Sequence, residues 1–422
     1  MKKKIIFFLL INLIFIAESK SEKPILFVGA TTHVGNGNVI ANSIVSMHNG
    51  KFEIIGDAST VRIDPSAFDT IFKVYDKHIY PSFILPNTTL GLTEISAVRA
   101  TRDYKEVGKF NPHVRTLIAY NTDSKIPKTI LNNGIMIAQV TPKGGTISGK
   151  SSIMHLDGHN WEDAQLKADD GIHLNWPKSF YSTGWWAEPG KIKINENYKE
   201  RIEEINHLFD KAWAYRNSTD NSIDIKLESM LGLFDGSTTL FIHSNKANDM
   251  RDAIKFAKKY SIKKTVLVGA EDALKIINIL KKENISLILK RVHRLPITQD
   301  RHIDEPYSQA KKLHNEGVLF CLSYEGDMEA MGSRNLPFTA GTTVAYGQEY
   351  EDAVMSISLN AAKILGIDHM VGSIEKGKDA TFFISSGDAL DIKSNNVERV
   401  FIRGEEIDLL DHQKKLYYEY KK

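Results

Sequence analysis

Three titratable side chains stand where strand-like apolar runs end, and they are the residues of this sequence best placed for chemistry. His243 closes the run TTLFIH, and Glu325 and Asp327 follow the run VLFCLS. A histidine paired with a carboxylate can act as a general base that an acid holds in position, so the three are catalytic candidates. The competing interpretation is that His243 only forms hydrogen bonds and that the two carboxylates are ordinary surface groups.

Metal binding has little support in the spacing of the 14 histidines. No H-x-H or H-E-x-x-H pair occurs, so no local motif brings two imidazoles to one ion. The sequence therefore predicts no metal site. If a metal is bound after all, His155, His173 and His293 are the imidazoles that would join His243.

The stretch GGTISGKS, residues 144–151, matches the phosphate-loop pattern letter for letter. A phosphate loop must open a helix, because the anion binds free N–H groups in that helix's first turn. The next residues, SIMHLDG, read as a strand, so we reject ATP binding. The loop can still line a pocket with small and hydroxyl residues, or it can be a purely structural turn. The residues concerned are Gly144, Gly145, Thr146 and Ser148.

The chain begins with MKKKIIFFLLINLIFIAESKS, in which three lysines precede an apolar run too short to span a bilayer. This pattern predicts a signal peptide over residues 1–21 and an exported protein, periplasmic or secreted, without a membrane anchor. Once those residues are removed, basic and acidic side chains nearly balance, so nucleic acid has no basic surface to bind. The single cysteine, Cys321, rules out an intrachain disulfide.

The elements that must position the candidate residues follow from the hydrophobic patterns. Between residues 81 and 371, apolar runs such as KTVLVG alternate with amphipathic runs such as ANDMRDAIKFAKKYS. This alternation predicts an α/β fold with a parallel sheet, and the number of repeats favours a (β/α)8 TIM-like barrel over an open doubly wound sheet. Residues 155–216 interrupt the cycle and are interpreted as a Trp-rich insertion. Its tryptophans either wall a pocket or hold the insertion on the barrel, and they are Trp161, Trp176, Trp185 and Trp186.

Both chain ends carry short β-branched runs separated by Gly and Asn turns. Residues 22–80 and 372–410 are therefore predicted to form one composite β-sandwich domain beside the barrel. In a barrel of this kind the site lies at the carboxyl ends of the strands, which is where His243, Glu325 and Asp327 stand.

Four stretches also carry a family pattern: IYPSFILPNTTLGL, TPKGGTISGKSSIMHLDG, LNAAKILGI and VGSIEKGKDATFFI. They resemble the metal-dependent amidohydrolase superfamily, and especially its imidazolonepropionase-like branch. The resemblance covers nearly the whole chain after the leader. It implies one or two divalent metals, such as zinc, that activate water to attack an amide, a lactam or a related C–N bond.

The resemblance also implies that this chain has lost most of the family's metal ligands. The family's H-x-H pair after the first strand falls on Asn87 and Thr89, and its fifth-strand histidine falls on His243. Its sixth-strand histidine falls on Val268 or a neighbour, and its eighth-strand aspartate falls on Tyr324 or Glu325. A hydroxyl or an amide is a poor zinc ligand compared with imidazole, so no cofactor is expected.

The resulting prediction is a non-catalytic barrel that binds a small molecule, or that assembles as a homo-oligomer or with an active amidohydrolase. The alternative is an active hydrolase of small amides or lactams, either metal-free or with a non-standard metal site. In both cases the pocket is predicted at the barrel mouth, beside the glycine-rich loop and under the insertion as a lid. Its members are Asn87, Thr89, Gly144, Gly145, Thr146, Ser148, His243 and Glu325.

Overall fold

Short strands joined by tight turns open the part of the chain that the structure describes. The structure is a computed structural model, and it describes residues 23–185, 187–188, 190–217, 222–298, 300–326 and 328–421. The predicted leader, Trp186 and the candidate Asp327 lie outside these residues. The first strands are β1 (Ile25–Val28), β2 (Thr31–His33), β3 (Val39–Ile40), β4 (Ser43–His48), β5 (Lys51–Asp57), β6 (Thr70–Lys73) and β7 (His78–Pro81).

The middle of the chain supplies the barrel strands. These strands and one hairpin are β8 (Phe83–Thr88), β9 (Ile135–Val140), β10 (Ile147–His155), β11 (Gln165–Asn175), β12 (Phe180–Ser182), β13 (Ile192–Ile194), β14 (Thr239–Ser244), β15 (Thr265–Gly269), β16 (Ser286–Leu289) and β17 (Phe320–Leu322). All of them except the β12–β13 hairpin form one eight-stranded sheet in chain order.

Helices pack around this sheet and follow most of its strands. They are α1 (Lys125–Leu131), α2 (Trp161–Ala164), α3 (Tyr198–Arg216), α4 (Ile225–Glu228), α5 (Gly232–Asp235), α6 (Ala247–Lys259), α7 (Ile277–Lys282), α8 (Glu305–Asn315), α9 (Glu329–Gly332), α10 (Leu336–Ala345), α11 (Tyr350–Ser356), α12 (Leu359–Leu365) and α13 (His412–Tyr420). Short 3-10 turns lie at Pro65–Ala67, Arg99–Thr101, Leu117–Ala119, Ala273–Ile276 and Ser333–Asn335. None of the helices in the described ranges is long and apolar enough to cross a membrane.

The sheet is parallel except at one strand. β8 pairs in parallel with β9, and β11 and β14–β17 pair in parallel along the other part of the sheet. β10 runs antiparallel to both of its neighbours. Only residues 141–146 connect β9 to β10, which is too short for the crossover that a parallel return needs. The predicted α/β fold with a TIM-like barrel is thus confirmed, with one strand reversed.

Apolar side chains fill the amino-terminal end of the barrel. Inward-facing residues from seven strands pack against α12, and they are Ile84, Ile137, Ile153, Phe241, Val266, Ile288 and Cys321. Burial raises the pKa of the Cys321 thiol, which keeps it an uncharged packing group. Because this end is filled with carbon, the polar inward-facing side chains gather at the carboxyl end.

The segment 155–216 is not wholly an insertion, which corrects the sequence interpretation. β11, residues Gln165–Asn175, is a barrel strand that lies between β10 and β14. Lys167, Asp169 and Asp170 interrupt its apolar pattern, so the strand could not be recognised from hydrophobicity. The other elements of this segment, which lie outside the barrel sheet, are the short helix α2, the β12–β13 hairpin and the helix α3.

The two chain ends meet in a β-sandwich. The last strands are β18 (Phe382–Ser385), β19 (Val397–Ile402) and β20 (Glu405–Ile407). They share a six-stranded sheet with β7, β2 and β3, while β5, β4, β1 and β6 form a second sheet. Phe27 of the second sheet packs edge-on against Phe382 and Phe401 of the first, with ring centroids 5.3 and 5.2 Å apart. Buried aromatic contacts of this kind hold the two sheets together.

Candidate functional site

Two cavities lie side by side at the carboxyl ends of the barrel strands. The first, which we name the hairpin cavity, has a volume of about 630 Å³ and is lined by His243, Glu325, Trp176 and the β12–β13 hairpin. The second, which we name the arginine cavity, has a volume of about 480 Å³, and its lining includes Thr89, Arg102, Tyr104, Lys143, Glu325 and Glu329. Glu325 lines both cavities. The mouth of the barrel is therefore open, and its walls carry charged and polar side chains among apolar ones.

The end of β8 is held in an unusual backbone conformation at Asn87. Its φ of +56° lies in the left-handed region, which asparagine tolerates better than most residues. The Asn87 N–H donates to Gln139 Oε1 at 3.1 Å, and Lys143 Nζ donates to Asn87 Oδ1 at 3.1 Å. The buried Asn87 Nδ2 has no hydrogen-bond partner among the described residues. This turn aims the amide of Asn87 at a lysine.

Glu329 fastens the next two residues of the same turn. Its Oε1 accepts from the Thr89 N–H at 2.6 Å and from the Thr89 hydroxyl. Its Oε2 accepts from the Thr88 hydroxyl at 2.9 Å. Both carboxylate oxygens of Glu329 are therefore used by the strand end, and the Thr89 hydroxyl is committed to a protein partner. Sequence reasoning missed Glu329, because nothing local links residue 329 to residue 89.

A chain of buried side chains leads from Asp170 to His243. Ser151 Oγ lies 2.7 Å from Asp170 Oδ1 and 2.8 Å from His173 Nε2, and His173 Nδ1 lies 2.9 Å from His243 Nε2. Gln139 Nε2 donates to the other oxygen of Asp170 at 2.8 Å. We name these four residues, Asp170, Ser151, His173 and His243, the inner relay.

The charge state of Asp170 determines which nitrogen of His243 carries a proton, and burial raises the pKa of this carboxyl. When Asp170 is ionised, the Ser151 hydroxyl donates to it and accepts from His173 Nε2–H. His173 Nδ1 then has no proton and accepts from His243 Nε2–H. The remaining nitrogen, His243 Nδ1, is left as an acceptor at the hairpin cavity.

Burial keeps both imidazoles of the inner relay neutral. Burial, together with the nearby positive charge of Lys143, lowers the pKa of His243 to about 3. Burial holds the pKa of His173 well below its ordinary value, and His243 and Lys143 contribute in the same direction. A base whose conjugate acid has a pKa near 3 binds few protons at neutral pH. His243 is therefore suited to hydrogen bonding and poorly suited to general-base catalysis.

Glu325 places an unpaired carboxylate oxygen between the two cavities. Its Oε2 is buried and has no hydrogen-bond partner among the described residues. A buried acceptor without a donor costs on the order of 1–3 kcal/mol, so a ligand that brings a donor would recover that energy. The other predicted carboxylate, Asp327, lies outside the described residues.

The side chains at the family's metal positions do not fit a metal. Asn87 and Thr89 are hydrogen-bonded to Lys143 and Glu329, and His243 is bonded to His173. Val268 is an apolar core residue. No group of three or more His, Cys, Asp or Glu side chains in the described part of the chain is arranged to hold a metal ion. A zinc site ordinarily needs at least three such ligands.

Only one of the three additional histidines lies beside His243. His173 is its hydrogen-bond partner. His155 is buried at the far end of β10, which runs away from the mouth because the strand is reversed. His293 bonds the Thr342 hydroxyl at 2.7 Å, in a cavity that neither His243 nor Glu325 lines. These histidines cannot jointly complete a site with His243.

The glycine-rich loop is tied down by its own hydrogen bonds. Ser148 Oγ donates to the Gly144 carbonyl at 2.7 Å, and Asn175 Nδ2 donates to the Gly145 carbonyl at 3.0 Å. Thr146 N donates to the Lys109 carbonyl at 2.6 Å. Gly144 and Gly145 both have positive φ, and an added Cβ at Gly145 would lie 2.9 Å from the Lys109 carbonyl oxygen. The loop thus has the features of a structural turn, and it lines neither the hairpin cavity nor the arginine cavity.

The tryptophans of residues 155–216 divide between the two predicted roles, which are to line a pocket and to hold the segment on the barrel. Trp176 lines the hairpin cavity, and its Nε1 donates to the Tyr198 hydroxyl at 3.2 Å. Trp161 packs instead on a separate apolar cluster around Leu117 and Tyr120. Trp185 is exposed. The hairpin lines its cavity with Phe180, Tyr181 and Ile192, which the search for tryptophans in the sequence did not identify.

Sequence reasoning also missed the residues that link the strand ends. Lys143, Gln139, Ser151 and Asp170 each lie on or beside a strand, but their partners are on other strands. The one usable signal was the placement of polar residues within otherwise apolar strands, as in IMIAQV.

Comparisons with known proteins agree with this architecture. A sequence model of the amidohydrolase family matches residues 228–407. An imidazolonepropionase of Flavobacterium psychrophilum is 26% identical over 303 residues, which cover 68% of this chain and 72% of that protein.

Solved structures extend the likeness in fold. A crystal structure of an amidohydrolase from Thermotoga maritima MSB8 matches with a TM-score of 0.76 and 24% identity, over 91% of this chain and 99% of that one. A crystal structure of molinate hydrolase matches with a TM-score of 0.53 and 13% identity, over 92% and 95% of the two chains. At these identities the structures speak for the fold alone.

Proposed function

Because this chain is an imidazolonepropionase-like member of the amidohydrolase superfamily, we propose that it binds a small molecule in the barrel mouth without the family's metal and without hydrolysing it. One observation carries the proposal. The side chains at the H-x-H position, Asn87 and Thr89, are hydrogen-bonded to Lys143 and Glu329. Two charged side chains, Lys143 and Glu329, thus bind the strand end at the position where the family binds a metal.

The shape of the mouth supports binding over a purely structural role. A barrel end with no ligand gains stability by burying carbon, as the opposite end of this barrel does. The mouth instead keeps cavities of about 630 and 480 Å³ with His243, Lys143 and Glu325 on their walls. Pockets of this size with a few convergent polar groups are typical of small-molecule sites.

Hydrolysis is the second candidate, and the unpaired Glu325 oxygen is the observation that favours it. A carboxylate could activate water without a metal. The low pKa of His243 argues against this reading, because the imidazole would not share the work of proton transfer. Assembly with an active relative is a third candidate function, and no feature of the open mouth favours it. We also propose export through the predicted leader, which cell fractionation tests.

Metal content provides the first test. We expect protein purified without chelator to contain well below one equivalent of zinc, iron or manganese by plasma mass spectrometry, because amide and hydroxyl side chains bind these ions weakly. Reconstitution with zinc should not change the melting temperature. Stoichiometric metal that survives dialysis would contradict the proposal.

Ligand binding and turnover are tested together on the same protein. A panel of small amides, lactams and amino-acid derivatives is screened by thermal shift, with and without EDTA, and each sample is then analysed for product. We expect binding that EDTA does not change, no product, and loss of binding in Glu325→Gln. Glu53→Gln, an exposed residue of β5, is the matched control. Product formation that depends on Glu325 would support the hydrolase instead.

A further inference from the structure

Lys143 is fixed at the barrel mouth by its backbone. It follows Pro142 directly after β9, and Thr141 N donates to the Thr88 carbonyl at 2.7 Å. Its own N–H donates to the Tyr104 carbonyl, also at 2.7 Å. The segment is thus attached to β8 on one side and to the loop before β9 on the other. The ammonium group has a defined position as a result.

The positive charge of Lys143 is not neutralised by a protein carboxylate. Its ammonium donates to Asn87 Oδ1, and no ion pair to Lys143 occurs among the described residues. Glu325 and Glu329 line the same cavity, but Glu329 is bonded to Thr88 and Thr89. An ammonium has three donors, so two remain for a ligand.

The approach to Lys143 is positively charged. The arginine cavity shares Arg102 and Tyr104 with a cavity of about 750 Å³ at the protein surface, whose lining also includes Arg99 and Lys105. None of these three basic residues belongs to an ion pair in the described ranges. Their neighbours do, since Lys109 pairs with Glu204 and Arg115 with Asp169. The one carboxylate on this outer cavity, that of Glu106, accepts from the Val107 N–H.

We infer that the Lys143 ammonium is the anion-binding group of the mouth and recognises the carboxylate of a small ligand that arrives along the Arg102 side. This inference rests on the proposed binding function and adds a ligand class to it. A fixed ammonium takes over the positive charge that a metal supplies in the family, and it does so without a bound ion. A cleft that is lined by charges of one sign also raises the local concentration of oppositely charged ligands.

Two features of the arginine cavity define the ligand further. Glu325 and Glu329 also line this cavity without pairing with Lys143, so a singly charged carboxylate meets less repulsion there than a doubly charged phosphate. The buried Glu325 Oε2 needs a donor. A molecule that has both a carboxylate and an N–H group, separated by a short spacer, satisfies Lys143 and Glu325 together.

Isothermal titration calorimetry with matched probes tests the inference. The probes are N-acetylglycine, N-acetyl-β-alanine and 4-acetamidobutyrate, each compared with its methyl ester, and inorganic phosphate. We expect at least one acid to bind about tenfold or more tightly than its ester, because a charge-assisted hydrogen bond is lost in the ester. Lys143→Met should remove this preference, so that each acid binds no more tightly than its ester.

Two further variants complete the design. Lys143→Arg keeps the charge and should keep the preference for acid over ester. This result would show that Lys143→Met acts through lost ligand recognition and not through impaired folding. Lys109→Met removes a basic residue that is paired with Glu204 and should change nothing. Equal binding of acids and esters, phosphate binding tighter than any acid, or no binding of any acid overturns the inference. If acids and esters bind equally, a neutral ligand still binds and the proposed function stands. Hydrolysis of an acetamide would instead overturn the proposed function and leave the inference about Lys143 standing.

Discussion

Lowering the pH from 7 to 5 is expected to cost this protein about 2 kcal/mol of unfolding free energy at His155 alone. His155 is buried, and neither ring nitrogen has a hydrogen-bond partner among the described residues. Burial lowers its pKa to about 3 from an ordinary 6.5, with the Arg403 charge adding to the shift and Asp163 opposing it. The native imidazole therefore stays neutral in mild acid.

The sign follows from the depressed pKa. Below pH 6.5 the unfolded chain takes up a proton at His155 and the native state does not, so stability present above pH 6.5 is lost as the pH falls toward 3. Each pH unit in that window costs about 1.4 kcal/mol. His155→Met removes the titrating group and also the two unpaired nitrogens, so we expect a more stable protein at pH 7 and a larger gain at pH 5.

Urea unfolding at pH 7 and pH 5 measures both effects. The matched control is His159→Met, four residues along and exposed, which should leave the pH dependence as it is in the parent protein. If His155→Met loses as much stability between pH 7 and pH 5 as the parent does, then His155 is not a cause of the acid sensitivity.

Asp170→Asn is expected to destabilise the protein by about 2–4 kcal/mol at pH 7. The Asp170 carboxylate accepts from Ser151 Oγ at 2.7 Å and from Gln139 Nε2 at 2.8 Å. An amide has one oxygen, so it must turn its NH₂ group toward one of these donors. That donor is then buried without an acceptor, and the remaining members of the inner relay lose the group that orients them.

The neighbouring residue provides the control. Asp169 makes a surface ion pair with Arg115, and Asp169→Asn should cost less than about 1 kcal/mol because such pairs contribute little. Asparagine also tolerates the positive φ of this position. Urea unfolding of the two variants gives the comparison. Equal stabilities would mean that Asp170 carries a proton in the native state and that an amide replaces it without loss.

Local sequence was sufficient for the architecture. Apolar runs such as VLFCLS and KTVLVG identify buried strands wherever they stand, because burial on both faces of a strand requires carbon at consecutive positions. The same reasoning predicts a site at the strand ends and indicates that Asn87 and Thr89 stand at the family's metal-ligand positions. It failed at β11, where Lys167, Asp169 and Asp170 lie on a strand and hide its pattern.

The direction of β10 was also beyond the sequence pattern. A strand looks alike in either direction, and only the pairing with β9 and β11 makes this one antiparallel. The consequence is functional, because the reversal places Ser151 beside His173 in the inner relay and His155 at the closed end. A parallel strand with the same letters would have exchanged them.

The sequence by itself thus determined the fold class, and it predicts a site at the strand ends and the absence of the family's H-x-H pair, since each depends on residue types within a single strand or turn. Only the tertiary structure decided which partners the side chains at that position have. The partners Lys143 and Glu329 reach Asn87 and Thr89 from other parts of the chain, and the inner relay crosses three strands. Hydrogen bonds between residues far apart in sequence leave no local pattern, because the strands that join them are neighbours only in the folded sheet.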